Sequence, residues 1–302
     1  MQILILGGTG FIGKQLCQEL LSAGHKVAVL ARNPVKAQAT LANNVEVIGW
    51  SGSEAAIPAM ALQGVDCIVN LAGESIGTGR WTKIKKEKIL DSRIKTTRAI
   101  VGGVKNQGVK PQVLISASAI GFYGPCQDEE IIESSPAGQD FLATVCRAWE
   151  SEAYRAEHEG VRVATVRIGV VLGNGGALER MMLPFKFYTG GPTGRGNQWF
   201  SWIHAADLVK IIRFVAETES IKGPVNATAP QPLRMRDFCN ILGEIMGRPS
   251  WLPVPGFMLR LVLGEMADMV LNGQRVLPQK LLAAGYRFQY PAAQDALKAI
   301  IK

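Results

Sequence analysis

Ile3-Leu4-Ile5-Leu6-Gly7-Gly8-Thr9-Gly10-Phe11-Ile12-Gly13 decides the fold. Four apolar residues run into a glycine-rich turn. A helix follows, because Leu16 and Leu20 repeat four apart with Cys17 and Leu21 beside them until Ser22-Ala23-Gly24 stops it. A strand, a glycine turn and a helix in this order form the context in which such a pattern binds a dinucleotide. Gly7 and Gly8 let the backbone turn sharply, Gly10 removes a Cβ where a pyrophosphate approaches, and Gly13 lets the helix lie close to its strand. The helix N-terminus offers unpaired N–H groups and a partial positive charge to the phosphates. Thr9, Phe11 and Ile12 lie between these glycines and join Gly7, Gly10 and Gly13 as candidate cofactor contacts.

The end of the second strand, Lys26-Val27-Ala28-Val29-Leu30-Ala31, selects the dinucleotide. Where no 2′-phosphate has to be bound, an Asp or Glu about 20 residues after the glycines accepts from the ribose hydroxyls. Here Ala31 is followed by Arg32-Asn33-Pro34, with no acid. The guanidinium fork of Arg32 suits a 2′-phosphate, which a carboxylate would repel. The sequence therefore points to NADP(H); the plainer alternative is an arginine that solvates a strand end.

At 302 residues and 47% hydrophobic content the chain can bury a full core. It shows no charged leader with an apolar stretch and cleavage site, and no run long enough to span a bilayer. Its cysteines, at 17, 67, 126, 146 and 239, are odd in number, scattered, and form no CxxC or Cys/His cluster. Neither a disulfide framework nor a metal site is expected, and the reading is a cytoplasmic protein with no membrane partner. The net charge of +8 is concentrated between Arg80 and Arg98, where Arg80, Lys83, Lys85, Lys86, Lys88, Arg93, Lys95 and Arg98 face only Glu87 and Asp91. That segment reads as a helix with a solvated basic face. Nucleic acid is not expected, since aromatic stacking residues are not interleaved with the charges beyond Trp81.

Strand and helix signals alternate through the first half, as a doubly wound parallel sheet requires. Val45-Glu46-Val47-Ile48 precedes a helix expected near 54 to 63. Cys67-Ile68-Val69-Asn70 then delivers Leu71-Ala72-Gly73-Glu74 to the carboxyl edge, where such sheets bind ligands. Val113-Leu114-Ile115-Ser116-Ala117-Ser118 places two hydroxyls at the end of a buried strand, and Val161 to Gly173 reads as one long strand containing Ile168. Leu71, Ala72, Gly73, Ser116 and Ile168 are further candidate cofactor contacts. Beyond it the composition shifts: a helix with Met181 and Met182, then Gly190 to Trp199, a glycine-dense stretch expected to be a loop over a substrate, with Arg195, Trp199 and Trp202 able to stack on a nucleotide-like ligand. His204 and Asp207 read as positioning the loop and opening the next helix. The expected architecture is a Rossmann-type α/β domain over 1–170, with 199–230 returning to it, and a smaller substrate-side region over 171–198 and 231–302.

The glycine spacing, Asn70-Leu71-Ala72-Gly73 and Ser116-Ala117-Ser118 before Tyr123-Gly124 resemble the extended short-chain dehydrogenase/reductases, the group that includes the nucleotide-sugar epimerases. Arg80-Trp81, Ser92-Arg93, Ser201-Trp202-Ile203-His204-Ala205-Ala206-Asp207, Gly223-Pro224-Val225-Asn226-Ala227 and Gly273-Gln274-Arg275-Val276-Leu277-Pro278 are similar to its atypical SDR39U-type epimerase branch, over nearly the whole chain. The resemblance implies an NADP(H)-dependent epimerase or reductase acting on a small molecule such as a sugar nucleotide, with Arg93 reaching the cofactor. The wider group carries a Tyr-x-x-x-Lys pair, with a Glu four residues later. Aligned on Glu150, this chain has Leu142 and Cys146 in those places; Tyr154 and His158 repeat the spacing too far along. A proton donor must come from elsewhere. The candidates are Ser118, matching the substrate-binding hydroxyl of the group; Tyr123, the best remaining phenol; and Glu74, a base if burial raises its pKa. A catalytically degenerate dinucleotide sensor is the alternative, and the oligomeric state is open.

Overall fold

The computed structural model describes residues 1–52 and 56–301. Seven strands form one parallel sheet: β1 (Gln2–Leu6), β2 (Lys26–Ala31), β3 (Glu46–Gly49), β4 (Cys67–Asn70), β5 (Val113–Ala119), β6 (Arg162–Ile168) and β7 (Gly223–Ala227). Their order is β7-β6-β5-β4-β1-β2-β3, so the chain reverses direction between β1 and β4. A crevice at the carboxyl ends of these two strands is where open sheets of this kind bind ligands. The expected Rossmann-type α/β fold is the observed one.

The helices follow from apolar periodicity. On one face, α1 (Phe11–Ser22) buries Leu16 and Leu20 against Leu208, Ile211, Ile212 and Val215 of α5 (Ala205–Glu217). On the other, α2 (Lys83–Lys105) buries Ile100 and Val104, and α3 (Phe141–Tyr154) buries Ala153. A third core joins Leu178 and Phe185 of α4 (Gly176–Lys186), Phe238 and Leu242 of α6 (Met235–Met246), and Trp202. A further helix, α7 (Gly256–Leu263), buries no side chain, whereas α8 (Ala293–Ile300) contributes Ala296 and Leu297 to the third core.

Three local readings change. The helix near 54 to 63 is only Ala59–Leu62 among the described residues, with Ser53, Glu54 and Ala55 outside them. The long strand from Val161 breaks at Gly169: β6 stays in the main sheet, while Val170–Leu172 pairs with Trp202–His204. Any Cβ at Gly169 would meet the Ser201 carbonyl oxygen at 2.8 Å, so the crossing of these two segments requires glycine. The glycine-dense stretch 190–199 is packed rather than loose. A Cβ at Gly191 would sit 2.2 Å from the Leu252 carbonyl oxygen, and Pro192 and Gly196 are buried.

Candidate active site

The glycine turn has the geometry a pyrophosphate needs. Gly7 takes φ +84°, lies against the Leu71 backbone, and accepts the Gly10 N–H at 3.0 Å. A Cβ at Gly13 would fall 2.2 Å from the Gly7 carbonyl oxygen, which is why α1 starts so close to β1. Gly8 differs from expectation: its role is contact with Val29, whose side chain lies 2.6 Å from where a Cβ would be. Thr9 and Gly10 are exposed at the mouth. With Phe11, Lys14, Gly173, Asn174 and His204 they line an open cleft of about 590 Å³. The Phe11 ring reaches the loop before α4, since a Cβ at Gly173 would meet it at 2.8 Å. Ile12 is half-buried.

At the end of β2, Ala31 is buried and Arg32 exposed, with neither hydrogen bond nor ion pair to any described residue. Its charge is felt by Glu74 across the crevice. The adjacent Asn33 caps the short helix Pro34–Gln38 by accepting from the Lys36 N–H at 3.0 Å.

The turn after β4 is held from below. Asn70 Oδ1 accepts the Ala72 N–H at 3.2 Å while its amide donates to Thr97 Oγ1 at 3.0 Å; Thr97 in turn donates to the Arg93 carbonyl and accepts from the Trp149 indole. Leu71 N–H donates to the Leu6 carbonyl at 2.9 Å, tying the turn to β1. Arg93 lies directly beneath: a Cβ on Gly73 would meet its guanidinium carbon at 3.1 Å. Glu74 is exposed. Its carboxylate takes a hydrogen bond of 2.6 Å from Lys85, which holds its pKa below the ordinary range. The expectation of a burial-raised base at Glu74 is therefore corrected.

The loop beyond it is braced. The Trp81 indole donates to the Ile76 carbonyl, Arg180 to the Gly77 carbonyl, and Arg80 to the carbonyls of Leu261 and Val262 at the end of α7. Lys86 pairs with Glu265. These contacts explain part of the basic segment: Lys85 and Lys86 are tethers, whereas Lys83 and Lys88 are exposed.

Ser118 sits at the carboxyl end of β5, buried, opposite Arg167 of β6. Its hydroxyl donates to Glu150 Oε1 at 2.7 Å, and Glu150 is clamped by Arg167 through two hydrogen bonds of 2.8 Å. Burial works against the Arg167 charge, but the Glu150 carboxylate more than offsets it and raises its pKa. A serine whose proton is engaged in this way presents a lone pair rather than a donor to a substrate oxygen. Leu142 packs over Gly121 in the turn after β5, and burial pushes the Cys146 thiol up to about 11. Ser116 is fully buried in register with Asn70 and Thr165, its hydroxyl closed inside the sheet, and Ile168 is half-buried at the end of β6.

Tyr123, expected to be the best remaining phenol, does not face solvent. It is buried with Ile131 and Val276, its hydroxyl donating to Asn226 at 2.6 Å and accepting from Arg167 at 2.9 Å; burial raises its pKa. It closes an internal network and is withdrawn from proton transfer. Tyr154 is likewise bound to Thr165, with its phenol pushed up to about 12, while His158 is exposed. Trp202 is core, its indole donating to the Gln231 carbonyl, and Trp199 is stacked by Arg234 at 3.9 Å and Arg275 at 5.0 Å. Trp202 is closed to a ligand, whereas the half-buried Trp199 ring already carries two guanidinium groups; Arg195 remains exposed beside a second cleft of about 580 Å³ with Asn197 and Arg260. Arg167 was not among the residues the sequence singled out, although its charge within an apolar strand was the available cue to a buried ion pair.

The glycine turn, the sheet reversal above it and the small-residue turn after β4 define a dinucleotide-binding α/β protein of the Rossmann type. The chain belongs to the NAD dependent epimerase/dehydratase family, whose model matches residues 3–227, and a domain of unknown function, DUF1731, matches residues 254–300. It is 43% identical to the epimerase family protein YfhF of Bacillus subtilis, over all of this chain and 98% of that protein. It is 44% identical to the chloroplastic SDR39U1 homolog of Arabidopsis thaliana, over all of this chain and 87% of that one. Among solved structures, human epimerase family protein SDR39U1 with NADPH superposes with a TM-score of 0.90 at 34% identity, covering all of this chain and 99% of that one. UDP-glucuronic acid 4-epimerase of Bacillus cereus, at 17% identity and a TM-score of 0.79 over all of this chain and 98% of that one, shares the fold. Among the described residues no helix is long and apolar enough to cross a membrane.

Proposed function

We propose that the protein binds NADP(H) and acts as a reductase or epimerase on a sugar nucleotide or a related small carbonyl compound. The observation that carries this reading is Arg32, exposed at the end of β2 beside the glycine cradle, in the place where an acid would select the unphosphorylated cofactor. The NADPH in the human relative's structure supports the same choice. The cofactor would supply hydride transfer; the glycine turn would hold its pyrophosphate, Arg32 its 2′-phosphate, and Leu71, Ala72 and Gly73 its passage along the crevice. Ser118 would accept a hydrogen bond from a substrate hydroxyl, its own proton being held by Glu150. Five free cysteines suit a reducing, cytoplasmic compartment.

One observation favours a second reading, a dinucleotide-binding sensor without turnover: Leu142 and a buried Cys146 fill the positions of the usual Tyr and Lys, and Tyr123 is sealed in the interior. NADPH oxidation across a panel of sugar nucleotides and small ketones separates the two. Turnover that falls about 10- to 1000-fold in Ser118→Ala, with Cys146→Ser nearly silent, is expected for the enzyme. Wild type that binds NADPH and is inert on every panel member supports the sensor.

A further inference from the structure

Residues 74–82, between the β4 turn and α2, lie at the edge of the crevice without a core of their own. From residue 71 to residue 88 no residue is buried, and Ile89 is the first that is. A segment of this kind opens at small cost, because little apolar surface is exposed when it moves. Its two ends are pinned to α2. The Glu74 N–H donates to Ser92 Oγ at 3.0 Å and the Glu74 carboxylate takes the Lys85 ammonium, while Thr82 caps α2 by accepting the Lys85 N–H at 3.2 Å. The Trp81 indole donates to the Ile76 carbonyl at 2.9 Å and closes the segment on itself, so it moves as one piece.

The middle of the segment is fastened elsewhere. Arg180 of α4 donates to the Gly77 carbonyl, and Arg80 donates to the carbonyls of Leu261 and Val262. Those two carbonyls lie in the last turn of α7, where the helix has no N–H groups left to offer them. Arg80 satisfies them and sets its charge at the negative end of the helix. Neither α4 nor α7 contributes to the two cores that flank the main sheet. A further contact, Trp81 edge-on to Phe141 at 5.3 Å, leads to α3. The segment is therefore pinned at its ends on one wall of the crevice and latched in its middle to others. Between the two latches lies Gly79 at φ +72°, with nothing within 4 Å of where a Cβ would be; a side chain there would meet no atom and would strain only the closed backbone.

We propose that residues 74–82 form a strap that closes the crevice and opens as a unit, with Arg80 and Arg180 as its latches. This rests on the reading of the crevice as the NADP(H) site and adds to it the step that admits and releases the ligand. The latches join protein to protein, so they are the same whether the crevice is empty or filled. Breaking them speeds entry and exit together and leaves the equilibrium affinity almost unchanged.

The experiment has two arms, run on wild type, on Arg80→Gln combined with Arg180→Gln, and on Gly79→Ala. The first is native-state proteolysis by chymotrypsin without ligand, following the cut after Trp81 by mass spectrometry relative to the same cut in a peptide of residues 74–88. Trp81 is half-buried against Phe141, so the protease reaches it only in the open strap, and its rate tracks the open population. The double variant is expected to be cut there about 5- to 100-fold faster, with the cut after the exposed Trp251 unchanged. Gly79→Ala, which keeps both arginines, is expected to speed the same cut about 5- to 30-fold. The second arm is stopped-flow binding of NADPH. Its association and dissociation rates are expected to rise by a similar factor in the double variant, with Kd held within about threefold. An unchanged cut after Trp81, or faster cutting throughout the chain, overturns the proposal. So do binding rates that stay the same while the cut accelerates, and an affinity lost through dissociation alone, which would mean that the arginines hold the ligand. Wild type that binds no NADPH would overturn the cofactor reading; the strap then stands or falls on the first arm, which reads its opening with no ligand present.

Discussion

His204 is a residue whose chemistry is set by its backbone position. It precedes α5 and caps it, with Nδ1 accepting the Ala206 N–H at 3.0 Å and the ring stacked on Tyr290 at 4.0 Å. Burial lowers its pKa from 6.5, and protonating Nδ1 would abolish the cap. The folded state therefore binds fewer protons than the unfolded one just below pH 6.5. Stability from this group is complete above that pH and falls as the pH drops through it toward the lower folded value. Thermal melting between pH 8 and pH 5.5 should show a smaller loss of Tm in His204→Asn, which keeps a capping side chain without the titration; equal losses in the two proteins would remove His204 as a source of the pH dependence. The sequence marked His204 and Asp207 as positioning the glycine-dense loop and opening the next helix; both stand at the start of α5, but Asp207 holds the Gln289 and Tyr290 N–H groups, at 2.8 and 2.9 Å, rather than that loop. Tyr123 and Glu74 were legible only as residue types. Whether a phenol faces a crevice or Asn226, and whether a carboxylate is buried or meets Lys85, depends on partners 103 and 11 residues away.

At the scale of elements, the periodic pieces were readable and the crossings were not. Lys26–Ala31 is a strand with the expected bounds because a run of buried apolar residues ends at a charge. The break at Gly169 was hidden, since β-branched residues continue on both sides and only the approach of Ser201 forces the chain to leave the sheet. The same elements are joined by the Glu150–Arg167 pair, which locks α3 to β6 from inside. Breaking a buried pair leaves an uncompensated charge and costs about 3–5 kcal/mol, whereas replacing both members with apolar residues of similar size costs far less. Urea unfolding of Arg167→Met should show a loss of that size, and Glu150→Leu combined with Arg167→Met should recover part of it. Additive losses in the double variant would mean that the two groups are not coupled.

For the whole molecule, the carboxyl-terminal segment belongs to the core that it follows in sequence. Leu281 joins the main apolar cluster, while Ser201, Asn226 and Thr228 donate to the carbonyls of Gln274, Leu277 and Val276. A chain cut after Leu271 should lose the cooperative urea transition; retention of a wild-type midpoint would contradict this. The glycine cradle and the β1–β4 crevice lie together at the carboxyl edge of the main sheet, and the claim that this crevice is built for NADP(H) turns on the charge at its adenosine end. Fluorescence titration of NADPH and NADH on wild type and Arg32→Ala tests it most directly. The account predicts that wild type prefers NADPH and that Arg32→Ala weakens NADPH about 10- to 100-fold with little change for NADH. Equal weakening of both cofactors, or a wild type that prefers NADH, would contradict it.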